Sequence, residues 1–142
     1  MTATADTPTA GDTIVGAAIP SFIKIFVSDL DAATEFYGAA FAFTPAERFS
    51  TPQFDEIILV PHTATGPRIV LCRWRDGRAL DHGNSRGPIG LRVRDVSAAY
   101  GHALARGATS ALTPVTYKGM TFAVIRDPDG HSLELIAKAM AA

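Results

Sequence analysis

One carboxylate, Glu134, interrupts the otherwise apolar run Ser132-Leu133-Glu134-Leu135-Ile136. On a strand, Leu133 and Leu135 face one way and Ser132, Glu134 and Ile136 the other. A charge on a strand that otherwise reads as buried must be solvated, paired or bound to something. Glu134 is therefore the first candidate for acid–base chemistry or for holding a ligand. The other residue types that could do chemistry are sparse. The one cysteine, Cys72, lies in an apolar run and reads as a buried, inert thiol, which leaves no internal disulfide and no Cys-based zinc cluster. His131 follows Asp127-Pro128-Asp129-Gly130 and is expected to face solvent or that turn; His102 is expected on a helix surface or in helix packing. His62 and His82 fall in loops, where either could reach a pocket mouth. There is no HExxH or HxxxH pair, no glycine-rich phosphate loop and no serine nucleophile elbow.

The elements that must position Glu134 are legible around it. Asp127-Pro128-Asp129-Gly130 suits a type I turn, with Pro fixing φ at the second corner. Strands are expected over Thr121–Arg126 before that turn and Ser132–Ala137 after it. Upstream, Phe22 to Val27 is β-branched and aromatic and reads as a strand. Asp29 caps a following helix with Leu30, Ala33, Phe36 and Tyr37 as its apolar stripe, and Gly38 is placed to end it. Strands are then expected over Phe41–Phe49, Phe54–Val60 and Arg68–Trp74, with Pro45 and Pro52 limiting where ladders can pair. The same order recurs: a strand over Ile89–Val93, an Asp95-capped helix ended by Gly107, and strands beginning with Ser110–Thr116. Laying Ser21–Glu35 on Gly87–Gly101 matches Ile23 with Ile89, Val27 with Val93, Asp29 with Asp95, Ala32 with Ala98 and Ala33 with Ala99. Gly66–Cys72 likewise lies on Gly130–Ile136. The pattern reads as a duplicated βαβββ unit.

Composition limits what such a unit could serve. The chain has 142 residues, 47% hydrophobic and 19% charged, with a net charge of −1. That supports one domain with an ample core and offers no basic field for nucleic acid. No apolar run approaches the about 20 residues of a membrane span, and the N-terminus lacks a secretory signal pattern, so a cytoplasmic location is the default expectation. Residues 1–18, rich in Thr, Ala and Gly, are expected to form a flexible arm. The rest divides into module one (19–75), a polar linker (76–86) and module two (87–138).

Val-Ser-Asp-Leu-Asp-Ala-Ala-x-x-Phe-Tyr in the first half, Val-Arg-Asp-Val-Ser-Ala-Ala-Tyr in the second and the closing Asp-Pro-Asp-Gly-His-Ser-Leu-Glu-Leu together resemble the vicinal oxygen chelate superfamily. That group includes glyoxalase I, bleomycin-resistance proteins, fosfomycin-resistance enzymes and extradiol dioxygenases. The resemblance implies an α+β fold: two tandem βαβββ modules forming a curled mixed sheet around a cavity, often as a homodimer. In metal-dependent members, one ligand comes from the first and one from the last strand of each module. The matching positions here are Phe22, Val70, Pro88 and Glu134, and only Glu134 carries a donor. No bound metal or other cofactor is expected. The alternative is a divalent ion with Glu134 as one ligand and His62, Asp55 or Glu56 as other donors.

On the fold that the resemblance implies, alternation puts Phe22, Lys24 and Phe26 of the first strand, Pro88, Gly90 and Arg92 of its counterpart, and Arg68, Val70, Cys72, Ser132, Glu134 and Ile136 of the last strands on the cavity face. Tyr117, beside the Lys118-Gly119 loop, could offer a hydroxyl or pack at the rim. Lys24 or Arg92 would either neutralise Glu134 as an ion pair or anchor a ligand anion, with Glu134 as base. The expected function is thus a metal-independent small-molecule-binding protein. It would hold or rearrange a hydrophobic metabolite through Glu134 and Lys24, with Phe22, Phe26, Arg68, Val70, Arg92 and Tyr117 as ligand contacts. If it is an enzyme, the resemblance implies a lyase, isomerase or dioxygenase. The alternatives are a metal-dependent lyase or dioxygenase and an antibiotic-sequestering protein.

Overall fold

The computed structural model describes residues 14–139; the greater part of the expected N-terminal arm therefore lies outside the described residues. The elements run β1 (Phe22–Phe26), α1 (Leu30–Phe41), β2 (Thr44–Ser50), β3 (Phe54–Val60), β4 (Arg68–Trp74), β5 (Ile89–Arg92), α2 (Val96–Leu104), β6 (Thr109–Tyr117), β7 (Met120–Arg126) and β8 (Ser132–Lys138). This is the βαβββ order twice. Each repeat builds its own four-stranded mixed sheet, in the order β1-β4-β3-β2 and β5-β8-β7-β6. The first and last strands of each repeat pair in parallel and the remaining pairs are antiparallel. Two compact units divide the chain. The first takes in the described residues up to Thr34 with Ala42–Arg78, and the second Glu35–Phe41 with the residues from Ala79 onward.

Period-two alternation gives each sheet one buried face. In the first unit Ile25, Ile57, Leu59, Ile69 and Leu71 are at most 3% exposed. In the second, Ile125, Leu133 and Leu135 are fully buried, and α2 packs across β6, β7 and β8. Burying each such side chain contributes about 1.5–3 kcal/mol.

Both helices start where an aspartate caps them. Asp29 Oδ1 accepts from the Ala32 N–H at 3.0 Å and Asp95 Oδ1 from the Ala98 N–H at 3.0 Å. The expected stop at Gly38 is corrected: α1 runs on through Ala39, Ala40 and Phe41, all good or tolerable helix residues, and ends before Ala42, which takes φ of 60°. The strand expected from Phe41 consequently begins at Thr44. A register shift between Pro45 and Glu47 breaks its ladder to β3. Proline has no N–H to pair, and a bulge absorbs that loss.

The closing turn is tied more tightly than its sequence suggested. Gly130 N–H donates to the Asp127 carbonyl at 2.9 Å, and Asp127 Oδ1 accepts from the N–H groups of Asp129 and His131 at 3.0 and 2.8 Å. Tyr37, on the part of α1 that belongs to the second unit, donates its hydroxyl to Asp127 Oδ2 at 2.7 Å. Burial first, and the adjacent Asp127 carboxylate second, push the Tyr37 phenol well above its ordinary pKa. His131 is therefore not solvent-facing. It is 5% exposed and lies against the turn, the other surrounding expected for it, with its backbone N–H held by Asp127 and its ring edge-on to His82 at 4.6 Å. His82 itself meets the Asp129 carbonyl at 2.8 Å, and a side chain at Gly130 would crowd its Nε2 at 3.3 Å.

Candidate functional site

The face of the first sheet opposite its buried side carries the site. Ladder rungs across it align Phe22 with Arg68; Lys24 with Val70, Ile58 and Glu47; and Phe26 with Cys72, Glu56 and Phe49. Phe54 and Trp74 form the next rung. The upper rungs enclose a cavity of about 340 Å³, near the lower end of the range for small-molecule sites. Its walls are Phe22, Ile58, Val60, Val70 and Ala46, and its charged groups are Lys24, Glu56, Glu47 and Arg68.

One ion pair dominates the electrostatics of this cup. Lys24 Nζ lies 3.1 Å from Glu56 Oε2, with the side chains 36% and 16% exposed. The ammonium also sits 5.9 Å from the Phe22 ring centre and 5.1 Å from that of Phe54, within cation–π range. Cys72 donates its thiol to the same Glu56 oxygen at 3.5 Å. Burial, then the hydrogen bond to Glu56, push that thiol up to about 12, so it is a protonated donor and not a nucleophile. Glu56 thus gathers two donors on one oxygen.

The lower rung is filled by the protein itself. Phe26 stacks on Trp74 at 4.1 Å with 10° between planes, and Phe54 meets both rings edge-on. The Arg78 guanidinium lies 3.9 Å from the Trp74 ring centre, which leaves both indole faces covered. Its fork on Asp76, with the shortest contact at 2.6 Å, holds the Asp76 carboxyl below and the Arg78 guanidinium above their ordinary pKa values.

Of the residues expected to meet a ligand, Phe22, Lys24, Arg68 and Val70 come together in this cup. Phe26 does not line it, because Trp74 and Phe54 occupy its ring. The partner of Lys24 is Glu56, not Glu134: β3 sets Glu56 one rung from Lys24 on the same face, within reach of its long side chain. From sequence, Glu56 is expected only as an alternative donor for an ion. The signal that it belongs to the pocket face was in Phe54-Asp55-Glu56-Ile57-Ile58-Leu59-Val60, where Ile57 and Leu59 are fully buried and Glu56, Ile58 and Val60 alternate with them.

Glu134, Arg92 and Tyr117 belong to the second unit. Glu134 shares a rung with Gly90, Val124 and Leu112. It is half-buried, and its side chain has no hydrogen bond or ion pair among the described residues. Arg92 is exposed on β5, and Tyr117 is 62% exposed where Lys118 and Gly119, both at positive φ, make the two-residue turn between β6 and β7.

The four positions at which metal-dependent relatives would bind an ion do not fit one here. Phenylalanine, valine and proline at 22, 70 and 88 have no side-chain donor, and one carboxylate falls short of the three or four protein ligands a tightly held divalent cation takes. The substitute donors are dispersed. Asp55 Oδ1 lies 4.0 Å from Arg75 Nε, and Glu56 is engaged by Lys24 and Cys72. Among the described residues no three His, Cys, Asp or Glu side chains are grouped so as to hold a metal ion.

The sequence model of the Glyoxalase/Bleomycin resistance protein/Dioxygenase superfamily matches residues 19–135. Comparison with curated proteins finds no match. Among solved structures, the chain is similar to glyoxalase I from Zea mays, with 23% identity and a TM-score of 0.70 over 83% of this chain and 44% of that one. It therefore spans less than half the length of the maize enzyme. A glyoxylase/bleomycin resistance protein/dioxygenase domain from Frankia sp. EAN1pec matches with 18% identity and a TM-score of 0.71, over 87% of this chain and 100% of that one. A superfamily member from Sphaerobacter thermophilus matches with 26% identity and a TM-score of 0.68, over 84% and 97%.

Proposed function

Because the chain belongs to the Glyoxalase/Bleomycin resistance protein/Dioxygenase superfamily, whose members enclose small molecules, we propose that it binds a hydrophobic metabolite in the first unit's cup without the aid of a metal. The observation that carries this reading is the Lys24–Glu56 pair set among Phe22, Ile58, Val60 and Val70 in a cavity of about 340 Å³. In this reading Lys24 and Glu56 supply the polar contacts, Arg68 serves the rim, and the apolar walls supply most of the affinity. Where binding leads to rearrangement of the ligand, Glu56 is the proton acceptor and Lys24 the group that steadies the developing anion. Glu134 offers a second carboxylate on the other sheet, with Arg92 one rung further along the neighbouring strand and Tyr117 at the far end of the same sheet. Two copies of the chain are proposed to pair, as the exposed apolar row Leu112, Val115 and Tyr117 favours.

The deciding measurement is thermal unfolding of metal-stripped protein against a panel of neutral and charged aromatic metabolites, with and without Ni, Zn, Mn or Fe. Ligands that raise the melting midpoint in the presence of chelator support the reading, since anything binding only the folded state stabilises it. Near-stoichiometric metal in protein purified without chelator, lost in Glu134→Ala together with ligand binding, overturns it in favour of a metal-dependent lyase or dioxygenase. Strong binding of a polycationic antibiotic would instead favour sequestration. That is the weaker match for a cup whose four charged groups cancel.

A further inference from the structure

The ion pair in the cup has hydrogen-bonding capacity that the protein leaves unused. Glu56 spends Oε2 on both Lys24 and Cys72, while among the described residues nothing binds Oε1. That oxygen is not sealed away, because no buried side-chain oxygen or nitrogen lacks a partner. Lys24 has three N–H donors; one points to Glu56, and the rings of Phe22 and Phe54 flank the ammonium. At 5.9 and 5.1 Å the rings accept no directed hydrogen bond, so an N–H of Lys24 remains beside a free carboxylate oxygen. The cup presents a donor and an acceptor next to each other, between apolar walls, with Lys24 and Arg68 balanced by Glu47 and Glu56.

We infer that this pair selects a neutral, planar, largely apolar ligand carrying an adjacent hydrogen-bond donor and acceptor, such as the N–H/C=O edge of a ring lactam or an aryl carboxamide. The inference rests on the cup being the ligand site. Its physical basis is satisfaction of both partners at once. The ligand carbonyl accepts from Lys24 and the ligand N–H donates to Glu56 Oε1. A carboxylate ligand would satisfy Lys24 but set a second negative charge against Glu56, and a cation would meet Lys24. A ring without a donor would cover Glu56 Oε1 and leave it unpaired, which is the costly outcome for a polar atom removed from water. The neutral edge alone adds two hydrogen bonds without adding charge.

Calorimetric titration of the full chain with 2-quinolinone, 1-methyl-2-quinolinone and 2-naphthoate tests this. The native protein should bind 2-quinolinone about tenfold or more tighter than its N-methyl analogue and than the naphthoate. In Glu56→Gln the uncompensated Lys24 should reverse the order, with the naphthoate gaining at least about tenfold on 2-quinolinone. The double variant Lys24→Met/Glu56→Leu keeps the cup neutral and apolar. It should still bind rings, with the ratio between 2-quinolinone and its N-methyl analogue falling to near one. That result excludes simple steric rejection of the methyl group and stays readable should the single variant misfold. Equal binding of the three probes to the native protein overturns the recognition inference and leaves the cup as a ligand site. Failure of all three to bind native and double-variant protein alike overturns the cup reading itself.

Discussion

At the scale of single residues, the cup is governed by where Glu56 directs its charge. It accepts from a buried thiol and from an ammonium on a side chain 36% exposed, at the same oxygen, so the local chemistry is that of a neutral cluster. Cys72 follows from this. Its thiol is fully buried and pushed from 9.0 up to about 12 by burial and by Glu56. The native thiolate population near neutral pH is thus on the order of a thousandfold below that of a free thiol. Alkylation by iodoacetamide at pH 8 should be negligible in the folded protein and rapid in denaturant; fast native labelling would contradict the placement of Cys72. The same shift has a consequence for stability. A thiol whose folded pKa is raised holds its proton better folded than unfolded. Its contribution is full below about pH 9 and is lost as pH climbs toward about 12. The melting midpoint should therefore fall through that window, less steeply in Cys72→Ala. Tyr37, raised in the same direction, keeps part of the slope in that variant. The sequence alone revealed Cys72 as buried and Phe22, Lys24, Arg68 and Val70 as one face, because successive side chains on a strand point to opposite sides and β1 and β4 pair without a bulge. It did not reveal the Lys24–Glu56 pairing, because pairing depends on which strands neighbour one another, and β3 enters this sheet beside β4 rather than beside β1.

At the scale of elements, the local signals divide by kind. Caps, turns and alternation are short-range, and they placed Asp29, Asp95, β3 and β4 correctly. The end of α1 depends on a contest between Gly38 and the three residues after it, and a lone glycine costs a helix only about 1 kcal/mol. Tyr37 shows what lies beyond such signals. As a member of an apolar stripe it reads as core, and it is core, yet its hydroxyl reaches Asp127, ninety positions along the chain. This bond ties the second half of α1 to the turn before β8, which carries Glu134. Tyr37→Phe strips Asp127 Oδ2 of its buried donor and should cost about 1–3 kcal/mol. That is a lowered urea midpoint with an unchanged slope, whereas an unchanged midpoint would mean the bond is dispensable. At the N-terminus of α2, Asp95→Ala removes the side-chain acceptor for Ala98 N–H and should cost about 1 kcal/mol.

At the scale of the whole molecule, two copies of one βαβββ plan carry different side chains at matching positions. The rung that holds Lys24 and Val70 on β1 and β4 of the first sheet holds Gly90 and Glu134 on β5 and β8 of the second, so the parallel pair of each repeat keeps one charge there, on opposite strands. The duplication was legible from Asp29/Asp95 and the strand order. The divergence of the two faces became legible only once the ladders fixed which side chains share them. The second sheet turns Leu112, Val115 and Tyr117 outward at 40%, 39% and 62% exposure, with Phe122, Val124 and Ile136 beside them on the same face. Apolar side chains gathered on one face, unlike ones scattered singly, mark a surface that associates. Analytical ultracentrifugation at micromolar concentration should accordingly show a dimer. Leu112→Lys with Val115→Lys should shift it to monomer without loss of the far-UV spectrum, because both side chains point away from the face that α2 covers. A native protein that sediments as a monomer across that range would show that this row is left to water. A double variant that remains dimeric would place the contact elsewhere, with the exposed Phe22 and Phe49 of the first sheet as the next surface to charge.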